Sequence, residues 1–96
     1  MATIKAKILT NARTKRNREG HLYYNCSGIT SEFKICNITA WNEEQKTNLN
    51  EGNDISITNC YITQKGTKTF VQIHQETKVS YHIFSLIRIL QTDNNS

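Results

Sequence analysis

The sequence predicts an all-β domain: a five-stranded Greek-key barrel with a short helix between the third and fourth strands and an amphipathic helix at its C-terminal end. Three observations lead there. Apolar and polar residues alternate with a period of two in five separate segments. A helix-start signal interrupts them at Trp41-Asn42-Glu43-Glu44. The chain has 96 residues, 36% hydrophobic and 21% charged, which suits one ordered domain with a modest core.

The elements follow in order. Ile4, Ala6 and Ile8 alternate with Lys5 and Lys7, the mark of a half-buried first strand. Asn11 to Gly20 is dense in Arg and Lys and closes on glycine, which reads as a mobile loop. Leu22, Tyr24 and Cys26, alternating with Tyr23 and Asn25, form a second strand ending near Gly28. After a turn around Ser31 and Glu32, a third strand runs through Cys36, Ile38 and Ala40. Asn42 fits a helix N-cap, Gln45 completes a capping box, and Glu43 and Glu44 occupy the first turn. Leu49 is that helix's apolar anchor and Gly52 its stop. A fourth strand runs from Asp54 to about Ile62, then a Gln64-Lys65-Gly66-Thr67 turn, then a fifth strand through Val71 and Ile73. The barrel thus occupies residues 1–79. In residues 80–91, Ile83, Leu86, Ile87 and Leu90 share one helical face, although the β-branched and aromatic content also permits a strand. Residues 92–96 form a polar tail expected to fray.

Five strands with a helix between the third and fourth is the order of the OB-fold, a partly open barrel. Its nucleic-acid face lies across the second and third strands, flanked by the loops joining strands one to two and four to five. The cations of this chain fall in those two loops: Arg13, Lys15, Arg16 and Arg18 in the first, Lys65 and Lys68 in the second. Glu32, Glu43, Glu44, Glu51 and Asp54 outweigh Lys34 and Lys46 in between, within a net charge of +4. Such a distribution suits a basic groove for a polyanion, a solvated surface without a partner being the alternative.

The aromatics stand out of phase with the core. With Cys36, Ile38 and Ala40 inward, Asn37, Thr39 and Trp41 face outward; with Val71 and Ile73 inward, so do Phe70, Gln72 and His74. Exposed rings are unfavourable unless something flat covers them, and nucleic-acid bases do so by stacking. The competing expectation packs Trp41 against the short helix and Phe70 under the 64–69 turn. Tyr61 shares the phase of Ile55 and Ile57, so it reaches the outer face only past a bulge and is a core residue otherwise.

Catalysis is not expected. His21, His74 and His82 are scattered, with no nucleophile–base spacing and no phosphate-cradling glycine loop. Cys26, Cys36 and Cys60 are odd in number and lack C-x-x-C spacing, so neither a metal, a cofactor nor a disulfide framework is expected. They read as small half-buried residues of a reduced, intracellular protein. No apolar run is long enough to span a bilayer and no signal segment is recognisable, so no membrane partner is expected. The glycosylation-like triplets Asn25-Cys26-Ser27 and Asn37-Ile38-Thr39 are taken as accidental.

The stretch Ile38-Thr39-Ala40-Trp41-Asn42-Glu43-Glu44 resembles the third-strand ending of OB domains in replication protein A and in simple single-OB proteins that bind single-stranded DNA. Residues 50–73 resemble the helix exit and last two strands of the same domains, and the likeness spans about residues 4–80. It implies that Trp41 and Phe70 stack on bases, and Tyr61 as well, as in the simple single-OB members. A basic residue of the replication protein A domains is replaced here by Asn37, implying a hydrogen bond in place of an ionic contact. The 80–91 segment looks like the helix with which small subunits of replication protein A and telomeric complexes bundle with their partners. The function expected is single-stranded DNA binding in replication, repair or telomere maintenance, in a nucleus or a prokaryotic cytoplasm. Thr39 and the six loop cations complete the expected DNA site. The alternatives are a structural OB subunit assembling through Ile83, Leu86, Ile87 and Leu90, or a single-stranded RNA binder.

Overall fold

The computed structural model describes residues 2–81, and its sheet closes on itself. β1 (Ala2–Ile8) pairs antiparallel with β3 (Leu22–Thr30) and with β5 (Asp54–Lys65). β3 pairs with β4 (Ile35–Ala40), β4 runs parallel to β6 (Lys68–Ile73), and β6 returns antiparallel to β5. These five strands make the closed ring that the OB-fold expectation required. Inside it Ile8, Ile38, Ile55, Ile57, Val71 and Ile73 are sealed from solvent. Their β-branched side chains fill a pleated interior well, and each alternates with an outward polar residue, as a half-buried strand demands.

β3 must serve two neighbours in its second half, since Gly28 lies opposite both Ile8 of β1 and Cys36 of β4. A Cβ there would come within 3.2 Å of the Ile38 side chain and the Lys7 carbonyl. Glycine permits this close approach.

Several expectations need correction. The stretch read as a mobile loop contains β2 (Arg13–Arg16), paired residue for residue with β3. All four of its side chains are exposed, so the strand has no core face and no alternation by which to be recognised. The carboxamide of Asn17 closes the tip by accepting from the Glu19 and His21 amides at 3.0 and 2.8 Å. Leu22, expected inward, is exposed because the β2–β3 ribbon runs past the barrel wall.

The helix is one turn, α1 (Glu43–Lys46), and does not reach Gly52. Asn42 caps it as expected, accepting from the Glu44 amide at 2.8 Å. The capping box does not form. Gln45 instead donates through Nε2 to the His74 and Thr77 carbonyls, at 3.0 and 3.3 Å, tying α1 to the chain beyond β6. Leu49, one turn further on, is fully buried in the core.

β5 extends to Lys65 and contains an irregularity at Asn59, whose φ is +67°. Opposite β1 the register moves from Thr3↔Thr58 to Ala2↔Cys60, leaving Asn59 as an extra residue. Asparagine tolerates the left-handed conformation better than most residues. Thr77 braces the bulge, its hydroxyl donating to the Asn59 carbonyl at 2.8 Å.

Finally, residues 78–81 form β7 (Lys78–Tyr81), antiparallel to the first half of β5. The expected C-terminal helix therefore does not begin at Ser80. Its remaining residues, including Ile83, Leu86, Ile87 and Leu90, and the 92–96 tail lie outside the described residues.

Candidate nucleic-acid interface

Opposite residues of paired strands share a face, so the registers assemble the outward side chains into rows across the sheet. At one end, Ile29 lies opposite Ile35 on β3 and β4, and Lys68 opposite Lys65 on β6 and β5, both one step beyond the last β4–β6 pair, Cys36↔Thr69. The next row is Ser27, Asn37, Phe70 and Thr63. The third crosses five strands as Arg13, Asn25, Thr39, Gln72 and Tyr61. At the far end Lys15 lies opposite Tyr23, whose ring centroid is 5.2 Å from that of Trp41 at a tilt of 40°.

Trp41 is therefore not a core-edge residue: it is 45% exposed, leaning on Tyr23 at the end of β4. Phe70 is half-buried in the middle of the face. The Asn59 bulge settles Tyr61. Without the extra residue, Tyr61 would follow Ile55 and Ile57 inward; with it, Cys60 takes the core position and Tyr61 turns out, 54% exposed. Its ring tilts against His74 with centroids 4.9 Å apart. The turn that braces the bulge also carries that histidine.

Between the rings the floor is neutral and polar. Asn25 Nδ2 donates to Asn37 Oδ1 at 2.7 Å, to Thr39 Oγ1 at 3.2 Å and to the Ile38 carbonyl at 3.3 Å. A backbone carbonyl only accepts, so the Ile38 contact orients the Asn25 amide, and Asn25 in turn orients Asn37. This network involves the asparagines of both glycosylation-like triplets and holds them within the sheet.

The cations divide. Arg13 and Lys15 stand in register with the aromatic face at one end, Lys65 and Lys68 at the other. The latter pair is held by a two-residue turn in which Gly66 has φ +63°, the left-handed conformation that the first position of a type II′ turn requires. Arg16 belongs elsewhere. It pairs with Leu22 on the Tyr24 side of the ribbon, and its guanidinium donates to the Gly20 carbonyl at 2.9 Å. Arg18 sits in the tip beyond the paired residues.

Two features escaped the sequence reading. Tyr23 and Asn25 were visibly out of phase with the core, but their partnership with Trp41 and Asn37 required the β3–β4 register. A recess of about 400 Å³ opens between the first two rows, lined by Ile35, Asn37, Lys68 and Phe70 and by small residues including Ser27. Beneath the face the three thiols are buried and free. Burial, followed by the neighbouring Cys36, pushes the Cys26 thiol up to about 12; burial also raises Cys36 and Cys60. Among the described residues no group of three His, Cys, Asp or Glu could hold a metal ion, and no helix is long and apolar enough to cross a membrane.

No protein-family model and no curated protein matches this sequence. Solved structures do match its shape. The HINa domain of Ifi202, solved with a 20-bp double-stranded DNA, aligns with 84% of this chain and 40% of its own at 13% identity and a TM-score of 0.64. A murine DNA-binding protein bound to double-stranded DNA aligns over 85% and 40% at 14% identity and a TM-score of 0.63. The second OB-fold domain of replication protein A from Methanococcus maripaludis aligns over 83% and 81% at 14% identity and a TM-score of 0.55. The chain spans about two fifths of the length of the first two. At these identities the likeness is one of fold, and the fold is the OB barrel.

Proposed function

We propose that the outer face of β3, β4, β6 and the end of β5 binds single-stranded DNA, with the bases on the aromatic rings and the phosphates on the cations at the two ends. One observation carries this reading. Trp41, Phe70 and Tyr61 are brought onto one face, around a neutral amide floor, with Arg13 and Lys15 at one end and Lys65 and Lys68 at the other. A monomeric barrel gains nothing from rings held in water. A strand with unpaired bases covers them, each stack contributing about 1–3 kcal/mol with tolerance of sequence. The solved neighbours, two holding double-stranded DNA and one from replication protein A, support nucleic-acid binding by such a barrel; the preference for a single strand rests on the outward rings.

The sole tryptophan makes the test direct. Titrating oligo-dT at low salt is expected to quench Trp41 fluorescence, and a duplex of equal length to bind at least tenfold more weakly, because paired bases present no face to the rings. Trp41→Ala should lose about 1–3 kcal/mol of binding, followed by anisotropy of a labelled oligonucleotide. Unquenched fluorescence, or a duplex that competes equally well, contradicts the reading.

A further inference from the structure

The recess between the first two rows differs from the rest of the face. Ile35, 58% exposed, and the Phe70 ring give it apolar walls; Lys68 stands at its rim and Asn37 in its floor. It exists because small residues, Ser27 and Asn37, occupy positions flanked by Ile35, Lys68 and Phe70. At about 400 Å³ and open to one side, it is the size of a single nucleotide rather than of a strand.

Its floor is oriented. The Ile38 carbonyl fixes Asn25, and Asn25 Nδ2 holds Asn37 Oδ1 at 2.7 Å. The Thr39 hydroxyl adds a weak contact to the same oxygen at 3.5 Å. The Asn37 oxygen is thereby engaged, and its amide nitrogen is the less committed end. One of its hydrogens reaches Asn25 Oδ1 at a long 3.4 Å, and the other has no acceptor among the described residues. The recess therefore offers two obligate donors, Asn37 Nδ2–H in the floor and the Lys68 ammonium at the rim, and no carboxylate; the Ser27, Thr67 and Thr69 hydroxyls of its lining can donate or accept.

Resting on the strand-binding reading above, we propose that this recess is a thymine-selective subsite: the base lies between Ile35 and Phe70, its O4 carbonyl accepts from Asn37, and Lys68 holds the adjoining phosphate. O4 is the group that enters first. It lies on the edge remote from the sugar, so a base entering with its sugar-phosphate at the rim presents that edge to the floor. Cytosine places an amino group at the same position, setting N–H against N–H. One position in an otherwise sequence-tolerant strand is thus read.

The test uses the full chain and a short oligo-dT in which each thymine is replaced in turn by cytosine. Wild type is expected to show one position where the change weakens binding about fivefold, in the range of a single hydrogen bond lost and a donor left facing a donor. Ser27→Phe, which fills the recess, should abolish that positional penalty while Trp41 quenching by oligo-dT persists; Asn37→Leu, which removes the donor, should abolish it too, with a weaker overall affinity. Amide spectra of the two variants confirm that the barrel is intact; if Asn37→Leu does not fold, Ser27→Phe alone decides. Quenching without any position-specific penalty overturns the subsite and leaves strand binding standing. A penalty retained in Ser27→Phe also overturns it, since the discrimination then arises elsewhere. Absence of quenching in wild type removes both readings together.

Discussion

The two faces of β4 are made from the same six residues and have nothing else in common. Cys36, Ile38 and Ala40 are at most 1% exposed and belong to the core cluster. Asn37 and Thr39, one residue away in each case, join a hydrogen-bond network on the opposite side, and Trp41 continues their phase into solvent. The period of two places the core and the proposed recognition surface back to back, separated by a single backbone. A change on one face should therefore leave the property of the other nearly untouched.

The largest effect should come from the inner face. Ile38→Ala deletes a fully buried side chain at the centre of the barrel and should lower unfolding stability by about 3 kcal/mol, measured by urea denaturation. Below the transition the folded fraction should still bind oligo-dT with wild-type affinity. A loss of affinity in the folded fraction would break the separation.

On the outer face, register sharpens the comparison among the cations. Replacing Arg13 and Lys15 together with alanine should reduce the log–log salt slope of binding by about 1.4, from two phosphate contacts at about 0.7 each. Arg16→Ala, one residue further along but on the other side of the ribbon, should leave that slope unchanged. Equal slopes for the two variants would mean that charge density rather than register governs the contact.

The smallest effect concerns the thiols. Burial raises Cys26 from an ordinary value of 9.0 to about 12, so its neutral form is favoured in the folded state. Its contribution to stability is complete below pH 9 and is lost as pH rises from there toward 12. The urea midpoint should accordingly stay level in this respect up to about pH 9 and fall above it. Iodoacetamide at pH 8 should modify the cysteines only as fast as the barrel opens; rapid labelling of the folded protein would show that the inner face is not sealed.

How much of this was legible in the sequence depended on whether neighbouring residues carried the signal. Trp41 could be placed because alternation runs unbroken from Cys36. Tyr61 could not, because Asn59 inserts one residue into β5 and nothing in its immediate surroundings announces the left-handed turn. β2 was hidden for the opposite reason: an edge ribbon exposed on both sides leaves no hydrophobic period to read. Gln45 fits a capping box locally, and only the folded chain brings the His74 and Thr77 carbonyls within its reach. The two cationic segments were visible as composition, whereas the diversion of Arg16 needed the pairing with Leu22.

The central claim is that bases lie on the outward rings of this one face. Intermolecular nuclear Overhauser contacts between an oligo-dT and the protein's aromatic protons test it directly. The account predicts contacts from base protons to Trp41, Phe70 and Tyr61. Their absence from all three, with contacts appearing instead at Phe33, the 86%-exposed ring in the β3–β4 turn, would contradict it.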